Sequence, residues 1–201
     1  MKEKLLLLAY GAFISLMTIH IGAEREKIEP LIASKEPAYT EIVELPRETT
    51  EETTEKAYIP IDIPMDEKLQ EWIYTYCNEQ NISPAIVIAI IEKESNYNPE
   101  AIGDYGNSFG LMQIYQKFHE DRMERLGVTD LLDTKQNVQV GVDYLMELFK
   151  ENPEPAWVLN AYNGGRAYAN RKLSAGEDTE YSVDILDRAA VLERMWEYVG
   201  N

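Results

Sequence analysis

The chain has 201 residues, of which 45% are hydrophobic and 10% aromatic, a composition that supports one globular domain of ordinary size with additional segments. Its formal net charge of −17 argues against nucleic acid and anionic lipid as partners, because a strongly acidic protein repels both, and leaves an uncharged carbohydrate open. The single cysteine, Cys77, excludes an intramolecular disulfide, and its helical surroundings indicate a small core residue rather than a reactive thiol.

Residues 1–23 have the pattern of a secretory signal peptide or of an uncleaved signal anchor. Lys2 and Lys4 precede a mostly apolar stretch, and a charged segment follows it. Ile21 stands where a cleavage site prefers a small residue, which favours an anchor that keeps the two lysines in the cytoplasm. In that case residues 5–23 would lie in the membrane.

Residues 24–64 form an acidic segment rich in Glu, Thr and Pro, whose apolar residues follow neither the helix nor the strand period. We expect a mostly disordered linker that self-repulsion keeps extended. From residue 65 to residue 201 the pattern is helical throughout, which predicts a single all-α globular domain.

Helix signals divide this domain into elements. An amphipathic helix is predicted over residues 66–79, and Ser83-Pro84 is a strong start for a second helix over residues 84–95. The pattern allows a short extended segment within 100–109. Further helices are predicted from Leu111, over 118–126, over 134–151, from Pro155 to Gly164-Gly165, and along the apolar series Ile185, Ala189, Leu192, Trp196 and Val199.

The helix over residues 84–95 is apolar on all sides across residues 86–91, which predicts a buried helix. Glu94 lies at its C-terminal end, where desolvation and the negative end of the helix dipole both favour the neutral acid. Such a carboxylic acid can protonate a leaving group at neutral pH. The alternative is a glutamate that closes the core and reaches water. Glu92 is about 200° around the helix from Glu94, so the two cannot face one cleft.

Other chemistries have little support in the sequence. His119 is the one histidine outside the N-terminal apolar segment, and without paired cysteines it argues against a zinc site. Ser95, Ser108 and Ser182 lack the Gly-x-Ser-x-Gly setting of a nucleophilic serine. Glu94 therefore has no serious rival as the catalytic group.

Three motifs in order resemble the soluble lytic transglycosylase family: ESNYNP at residues 94–99, GLMQI at 110–114 and AYNG at 161–164. The segment GDYGNSFG at 103–110 is closer to the related goose-type lysozymes. The resemblance covers residues 65–201 and implies a lysozyme-like α fold that cleaves the β-1,4 bond between N-acetylmuramic acid and N-acetylglucosamine in peptidoglycan. It also implies a monomer without cofactor or metal in the bacterial cell envelope outside the cytoplasm, either secreted or anchored.

The resemblance implies roles for individual residues. Glu94 would protonate the glycosidic oxygen and then take the proton of the muramic C6 hydroxyl, which yields a 1,6-anhydro sugar without consuming water. The other residues implied to bind substrate are Ser108, Met112, Gln113, Tyr162, Asn163 and Tyr181. Three of them also have a purely structural interpretation: Met112 as a core residue, Tyr162 as a buried aromatic residue and Tyr181 as the start of a helix.

Two alternative functions stay open at the sequence level. Asp104 matches an acid of the goose-type lysozymes and could position water for hydrolysis, whereas Tyr115 replaces a second acid of that family. The third hypothesis is a non-catalytic domain that binds peptidoglycan and keeps the cleft without turnover.

Overall fold

The computed structural model describes residues 58–200. Seven α-helices and a short 3₁₀ helix make up most of this region, together with a small antiparallel sheet. The helices are α1 Glu67–Glu79, α2 Pro84–Ser95, α3 Glu120–Leu126, α4 Thr134–Glu151, α5 Pro155–Gly164, α6 Arg166–Ala175 and α7 Glu180–Val199. The predicted helical domain is confirmed.

Helix α2 forms the centre of the core. Its residues 85–91 are all buried, as expected for a helix that is apolar on all sides. The Ser83 hydroxyl accepts the N–H of Ile86 and Pro84 occupies the first turn, so the helix begins where the sequence predicted. Asn96 adopts a left-handed conformation with φ 49° and ends the helix directly after Ser95. Helices α1 and α7 pack against α2 and cover its apolar surface.

The sheet consists of β1 Ile102–Gly103, β2 Ser108–Phe109 and β3 Ile114–Tyr115, in the order β1-β2-β3. The first two strands lie within the extended segment that the sequence allowed. The helix predicted from Leu111 is wrong, because a turn at residues 110–113 leads into β3 and a 3₁₀ helix, Gln116–Phe118, follows. Helix α6 was not predicted, since the Gly164-Gly165 pair indicated only a helix end.

The folded region also includes residues that the sequence analysis placed in the linker. Ile61 is 5% exposed and belongs to the core. Gln70 is buried, and its side-chain oxygen accepts the Tyr58 hydroxyl at 2.9 Å and the Ile61 N–H at 3.1 Å. Residues 58–64 therefore pack on the domain through α1.

The predicted signal segment at 1–23, and the linker up to residue 57, lie outside the described residues. Within residues 58–200, none of the helices combines the length and the hydropathy needed to cross a bilayer.

Candidate active site

Glu94 lies in the last turn of α2 and is half-buried. The Tyr181 hydroxyl, from the first turn of α7, donates a hydrogen bond to Glu94 Oε1 at 2.5 Å. Burial raises the pKa of Glu94 above its usual value, and the nearby charge of Asp104 raises it further, while the Tyr181 hydrogen bond and Lys93 act in the opposite direction. The surroundings of Glu94 therefore favour its protonated form, as the sequence analysis expected.

Glu92 serves a structural purpose on the other side of α2. Its Oε2 accepts a hydrogen bond from the Tyr97 hydroxyl at 2.6 Å and from Arg188 Nε at 2.6 Å. These bonds tie the end of α2 to α7 and to the loop that follows α2. Glu92 and Glu94 thus point to different environments, in agreement with their angular separation on the helix.

The small sheet forms one wall of a groove that begins at Glu94. Gly103, Ser108 and Tyr115 are cross-strand neighbours in the register of the three strands, and all three line the groove. The Ser108 hydroxyl donates to Asp104 Oδ2 at 2.5 Å. Asp104 itself is exposed, lines the groove and adopts a positive φ of 46° in the hairpin between β1 and β2.

Gln113 reaches the groove because the backbone reverses at this residue. Its φ is +46°, and its Nε2 donates to the carbonyl oxygens of Gly110 at 2.9 Å and Ala101 at 3.1 Å. The side chain passes so close to β1 that a Cβ at Gly103 would lie 2.3 Å from Gln113 Oε1. A side chain at position 103 would therefore displace the Gln113 amide.

Met112 does not line the groove, contrary to the prediction. Its side chain is 0% exposed and packs on α4, where a Cβ at Gly141 would lie 2.3 Å from the sulfur. Because the chain reverses at Gln113, adjacent side chains go to opposite sides, one to the groove and the other to the core. The backbone of Met112 still supports the site, since its carbonyl oxygen accepts the Tyr162 hydroxyl at 2.7 Å.

Asn137 on α4 holds the turn that presents Gln113, and the sequence analysis did not identify it. Asn137 is fully buried, its Oδ1 accepts the Met112 N–H at 2.8 Å, and its Nδ2 donates to the carbonyl oxygens of Phe109 at 2.7 Å and Leu131 at 2.8 Å. The sequence offered one signal of this role, a polar residue at position 137 next to the apolar Val138. The groups to which Asn137 forms hydrogen bonds are distant in sequence, so the signal did not identify them.

The C-terminal end of α5 provides the opposite side of the groove. Tyr162 is half-buried, and burial together with the charge of Glu94 holds the pKa of its hydroxyl well above the usual value. Tyr162 therefore stays protonated and donates to Met112. Asn163 is exposed and lines the groove.

The groove has a volume of about 770 Å³ and brings most of the predicted site residues together. Its lining includes Glu94, Asp104, Ser108, Gln113, Tyr162 and Asn163. Tyr181 contacts the groove through Glu94, Ser108 is only 2% exposed, and Met112 belongs to the hydrophobic core.

A network of charged side chains also lines the groove. Arg122 donates to Asp143 and Glu147 on α4, and Arg166 on α6 donates to Glu147 as well. His119 Nδ1 accepts from Arg122, since a guanidinium can only donate. Burial, assisted by the Arg122 charge, lowers the pKa of His119 to about 4, so its imidazole is neutral at pH 7.

Within the described residues no group of three or more His, Cys, Asp or Glu side chains is placed to hold a metal ion. The groove can support proton transfer by the carboxyl group of Glu94, with the carboxylate of Asp104 and several hydroxyl and amide groups around it. The hydroxyl and amide groups of the groove can form hydrogen bonds with uncharged sugars.

Comparisons with known proteins give a family model and several relatives. The family model described as "Transglycosylase SLT domain" matches residues 71–185. A membrane-bound lytic murein transglycosylase C from Mannheimia succiniciproducens is 30% identical over 122 residues, which cover 53% of this chain and 33% of that protein. Lysozyme g from Gallus gallus is 27% identical over 125 residues, which cover 54% of this chain and 56% of that protein. The chain thus spans a third to about half of these curated relatives.

Among solved structures, the 70 kDa soluble lytic transglycosylase from Escherichia coli matches with a TM-score of 0.47 and 22% sequence identity. The match covers 67% of this chain and 24% of that chain.

Proposed function

The chain belongs to the transglycosylase SLT domain family, and we propose that it is a peptidoglycan lytic transglycosylase with a lysozyme-like fold. Its substrate would be the β-1,4 bond between N-acetylmuramic acid and N-acetylglucosamine. The observation that carries this proposal is the half-buried Glu94 at the groove, with a raised pKa and a hydrogen bond from Tyr181.

Glu94 would act twice in the reaction. As an acid it gives its proton to the bridging oxygen while the bond from that oxygen to the muramic C1 breaks. As the resulting carboxylate it takes the proton of the muramic C6 hydroxyl, whose oxygen forms the new bond to C1. Protons and atoms balance without water, and the acid is regenerated. The N-acetyl group of the substrate can stabilise the positive C1, which explains how one carboxylate suffices where most glycosidases need two.

Tyr181 has a defined purpose in this cycle. Its hydroxyl donates to Glu94 Oε1, and such a bond becomes stronger when Glu94 loses its proton. The hydroxyl therefore stabilises the carboxylate that forms as the glycosidic oxygen is protonated.

We propose that Ser108, Gln113, Tyr162 and Asn163 bind polar groups of the sugars, because their hydroxyl and amide groups surround the same groove. Met112 supports the site through its backbone only.

A second candidate is hydrolysis of the same bond by a goose-type lysozyme mechanism. Asp104 favours it, since its carboxylate lines the groove, accepts the Ser108 hydroxyl and lies close enough to raise the pKa of Glu94. It could position a water molecule opposite Glu94. Tyr115 weakens this candidate because a tyrosine stands where goose-type enzymes have a second acid.

Mass analysis of the products decides between the two reactions. The full chain is incubated with purified peptidoglycan and the released muropeptides are weighed. We expect 1,6-anhydro products; products one water heavier, with free reducing ends, would replace the proposal by hydrolysis.

The first prediction is that Glu94→Gln lowers the rate of cleavage at least about a hundredfold, because general-acid catalysis contributes about that much or more. Glutamine has nearly the same shape and cannot give a proton. Binding to peptidoglycan should remain. The matched control is Glu124→Gln, which changes an exposed glutamate on α3 and should leave the rate unchanged.

The variant should also remain folded. The raised pKa of Glu94 means that its surroundings disfavour the ionised form, so this group contributes stability at low pH that is lost as pH rises through its folded pKa. A neutral glutamine avoids that loss at pH 7. If the wild type and Glu94→Gln both bind peptidoglycan and neither cuts it, the chain is a binding module instead.

We also propose that the protein acts in the bacterial cell envelope outside the cytoplasm, as a monomer without cofactor. The Mannheimia relative is described as membrane-bound, and residues 1–23 have the pattern of a signal peptide or anchor. Cell fractionation followed by N-terminal sequencing tests this: a protein that retains residue 1 and sediments with membranes is anchored, and one that begins near residue 24 is secreted. Recovery in the cytoplasm would contradict both.

A further inference from the structure

Two aromatic side chains extend the sheet wall of the groove beyond the predicted site residues. Tyr115 on β3 and Phe118 at the end of the 3₁₀ helix both line the groove, and their ring centroids are 4.7 Å apart with 30° between the ring planes. We define this pair as the aromatic platform. Nothing in the proposed reaction requires it.

The exposure of Phe118 is the first observation that needs an explanation. Its surface is 74% exposed, although water disfavours such an apolar ring. Among the described residues, Tyr105 and Tyr198 are the other aromatic residues exposed to this degree, and neither lines the groove. An exposed phenylalanine inside a ligand groove marks a contact with the ligand.

The register of the sheet gives the position of Tyr115 in the wall of the groove. Gly103 pairs with Ser108, and Ser108 pairs with Tyr115, so Tyr115 lies two strand spacings from Gly103, or about 10 Å. Asp104, which influences Glu94, follows Gly103 directly. The platform therefore lies on the third strand of the groove wall and just after it, about 10 Å from Gly103 across the sheet.

The chemistry of the platform fits a sugar ring. Pyranose rings in a β-1,4 glycan carry their polar groups equatorially, so that the two faces of each ring present C–H groups. The inner part of the groove offers hydroxyl, amide and carboxylate groups for ring edges, and the platform offers an aromatic surface for a ring face. The continuity of the groove makes another sugar of the same glycan strand the occupant.

We propose that Tyr115 and Phe118 form a stacking subsite, which binds a sugar of the glycan strand in the groove that contains Glu94. This inference rests on the proposed function, because it takes a peptidoglycan strand as the ligand. The subsite contributes affinity for long strands and has no part in proton transfer.

The test measures binding without cleavage, in the full chain carrying Glu94→Gln. The probe is a fluorescently labelled glycan strand from which the stem peptides have been removed. Phe118→Ala should weaken binding of this strand about five- to tenfold, the usual contribution of one aromatic contact. Tyr198→Ala is the control, because Tyr198 is 86% exposed on α7 and lies outside the groove lining. It should bind as tightly as the parent.

Two further variants separate stacking from general hydrophobic contact. Phe118→Trp should retain the affinity, whereas Phe118→Leu, which is apolar but not aromatic, should lose it like alanine. In the active chain Phe118→Ala should raise KM for long strands and change kcat by less than about twofold.

The proposal is overturned if Phe118→Ala binds the strand as tightly as its parent, if leucine retains the full affinity, or if the Glu94→Gln parent does not bind the strand. A chain that binds through Phe118 and never cleaves would contradict the enzyme proposal alone. The two failures are therefore distinguishable.

Discussion

The Tyr181 hydroxyl opposes the other influences on Glu94. Burial and the Asp104 charge raise the pKa of Glu94, and the hydrogen bond from Tyr181 lowers it. Without the hydroxyl, the acid would hold its proton more firmly and give it up less readily. In the proposed reaction this balance favours the protonated acid before cleavage and stabilises its carboxylate afterwards.

Tyr181→Phe should therefore change both the rate and its pH dependence. We expect the rate to fall about tenfold or more, because a hydrogen bond to a charged group contributes about 1.5–3 kcal/mol. The decline of the rate at high pH, where Glu94 loses its proton, should move to higher pH because the lowering effect on its pKa is gone. A pH–rate profile of cleavage measures both effects.

The control for this variant is Tyr198→Phe, which removes a hydroxyl from an exposed tyrosine on the same helix. Its profile should match that of the wild type. A Tyr181→Phe profile that declines at lower pH than the wild type would show that Tyr181 does not act on Glu94 as a donor.

At the level of residues, the sequence motifs supplied candidate site residues but not the directions of their side chains. Glu94 and Tyr181 meet although 87 positions separate them; Glu94 lies in the first motif, whereas Tyr181 was implied only by the resemblance to the family. Met112 and Gln113 are neighbours in one motif, but a motif carries no side-chain direction. The positive φ of Gln113 decides that one residue enters the groove and the other the core.

At the level of elements, one buried amide determines where the Gly110–Gln113 turn lies. The three hydrogen bonds of Asn137 connect α4 to this turn, to β2 and to the loop before α4. This turn also positions Gln113 and the Met112 carbonyl oxygen, which accepts the Tyr162 hydroxyl. A shift of this turn would displace two groove residues together.

Asn137→Ala should lower the free energy of unfolding by about 3 kcal/mol, because each of its three buried hydrogen bonds contributes about 1 kcal/mol and their partners would remain unpaired. Chemical denaturation measures this. Gln136→Ala is the matched control, since the neighbouring amide accepts two exposed backbone N–H groups that water can satisfy. We expect a clearly smaller loss of unfolding free energy for Gln136→Ala. Equal losses for the two variants would argue against this role of Asn137.

Local sequence patterns explain which elements were predicted. Helices α2 and α4 were predicted with their observed ends because caps and apolar spacing agree there. The strands have two residues each, too few for a period, and depend on contacts such as Gly103 with Gln113. Helix α6 buries only Ala169, so it has no apolar series to recognise, and it is attached by the Trp157 Nε1 bond to Asn170 at 2.8 Å.

At the level of the whole molecule, the start of the folded domain lies before the boundary at residue 65 that the sequence suggested. Pro60 and Pro64 interrupt the segment, and its isoleucines follow no helical spacing, so the pattern resembled the linker. The structure places Ile61 in the core and Ile63 against it. A long-range contact explains the position of Ile61. The Gln70 side chain on α1 accepts the Ile61 N–H, which attaches this segment to the helix.

A fragment that begins at residue 65 should consequently be less stable than one that begins at residue 58. Removing Ile61 exposes the core surface that it covers, which costs about 2 kcal/mol, and the two lost hydrogen bonds to Gln70 cost about 1 kcal/mol each. For a domain of this size, a loss of about 4 kcal/mol corresponds to a Tm lower by about 10 °C.

The fragment from residue 58 should unfold with the Tm of the full chain. Thermal unfolding of the three proteins measures this, and Ile61→Ala in the full chain should reproduce part of the loss. Equal Tm values for the two fragments would mean that residues 58–64 rest on the domain without stabilising it.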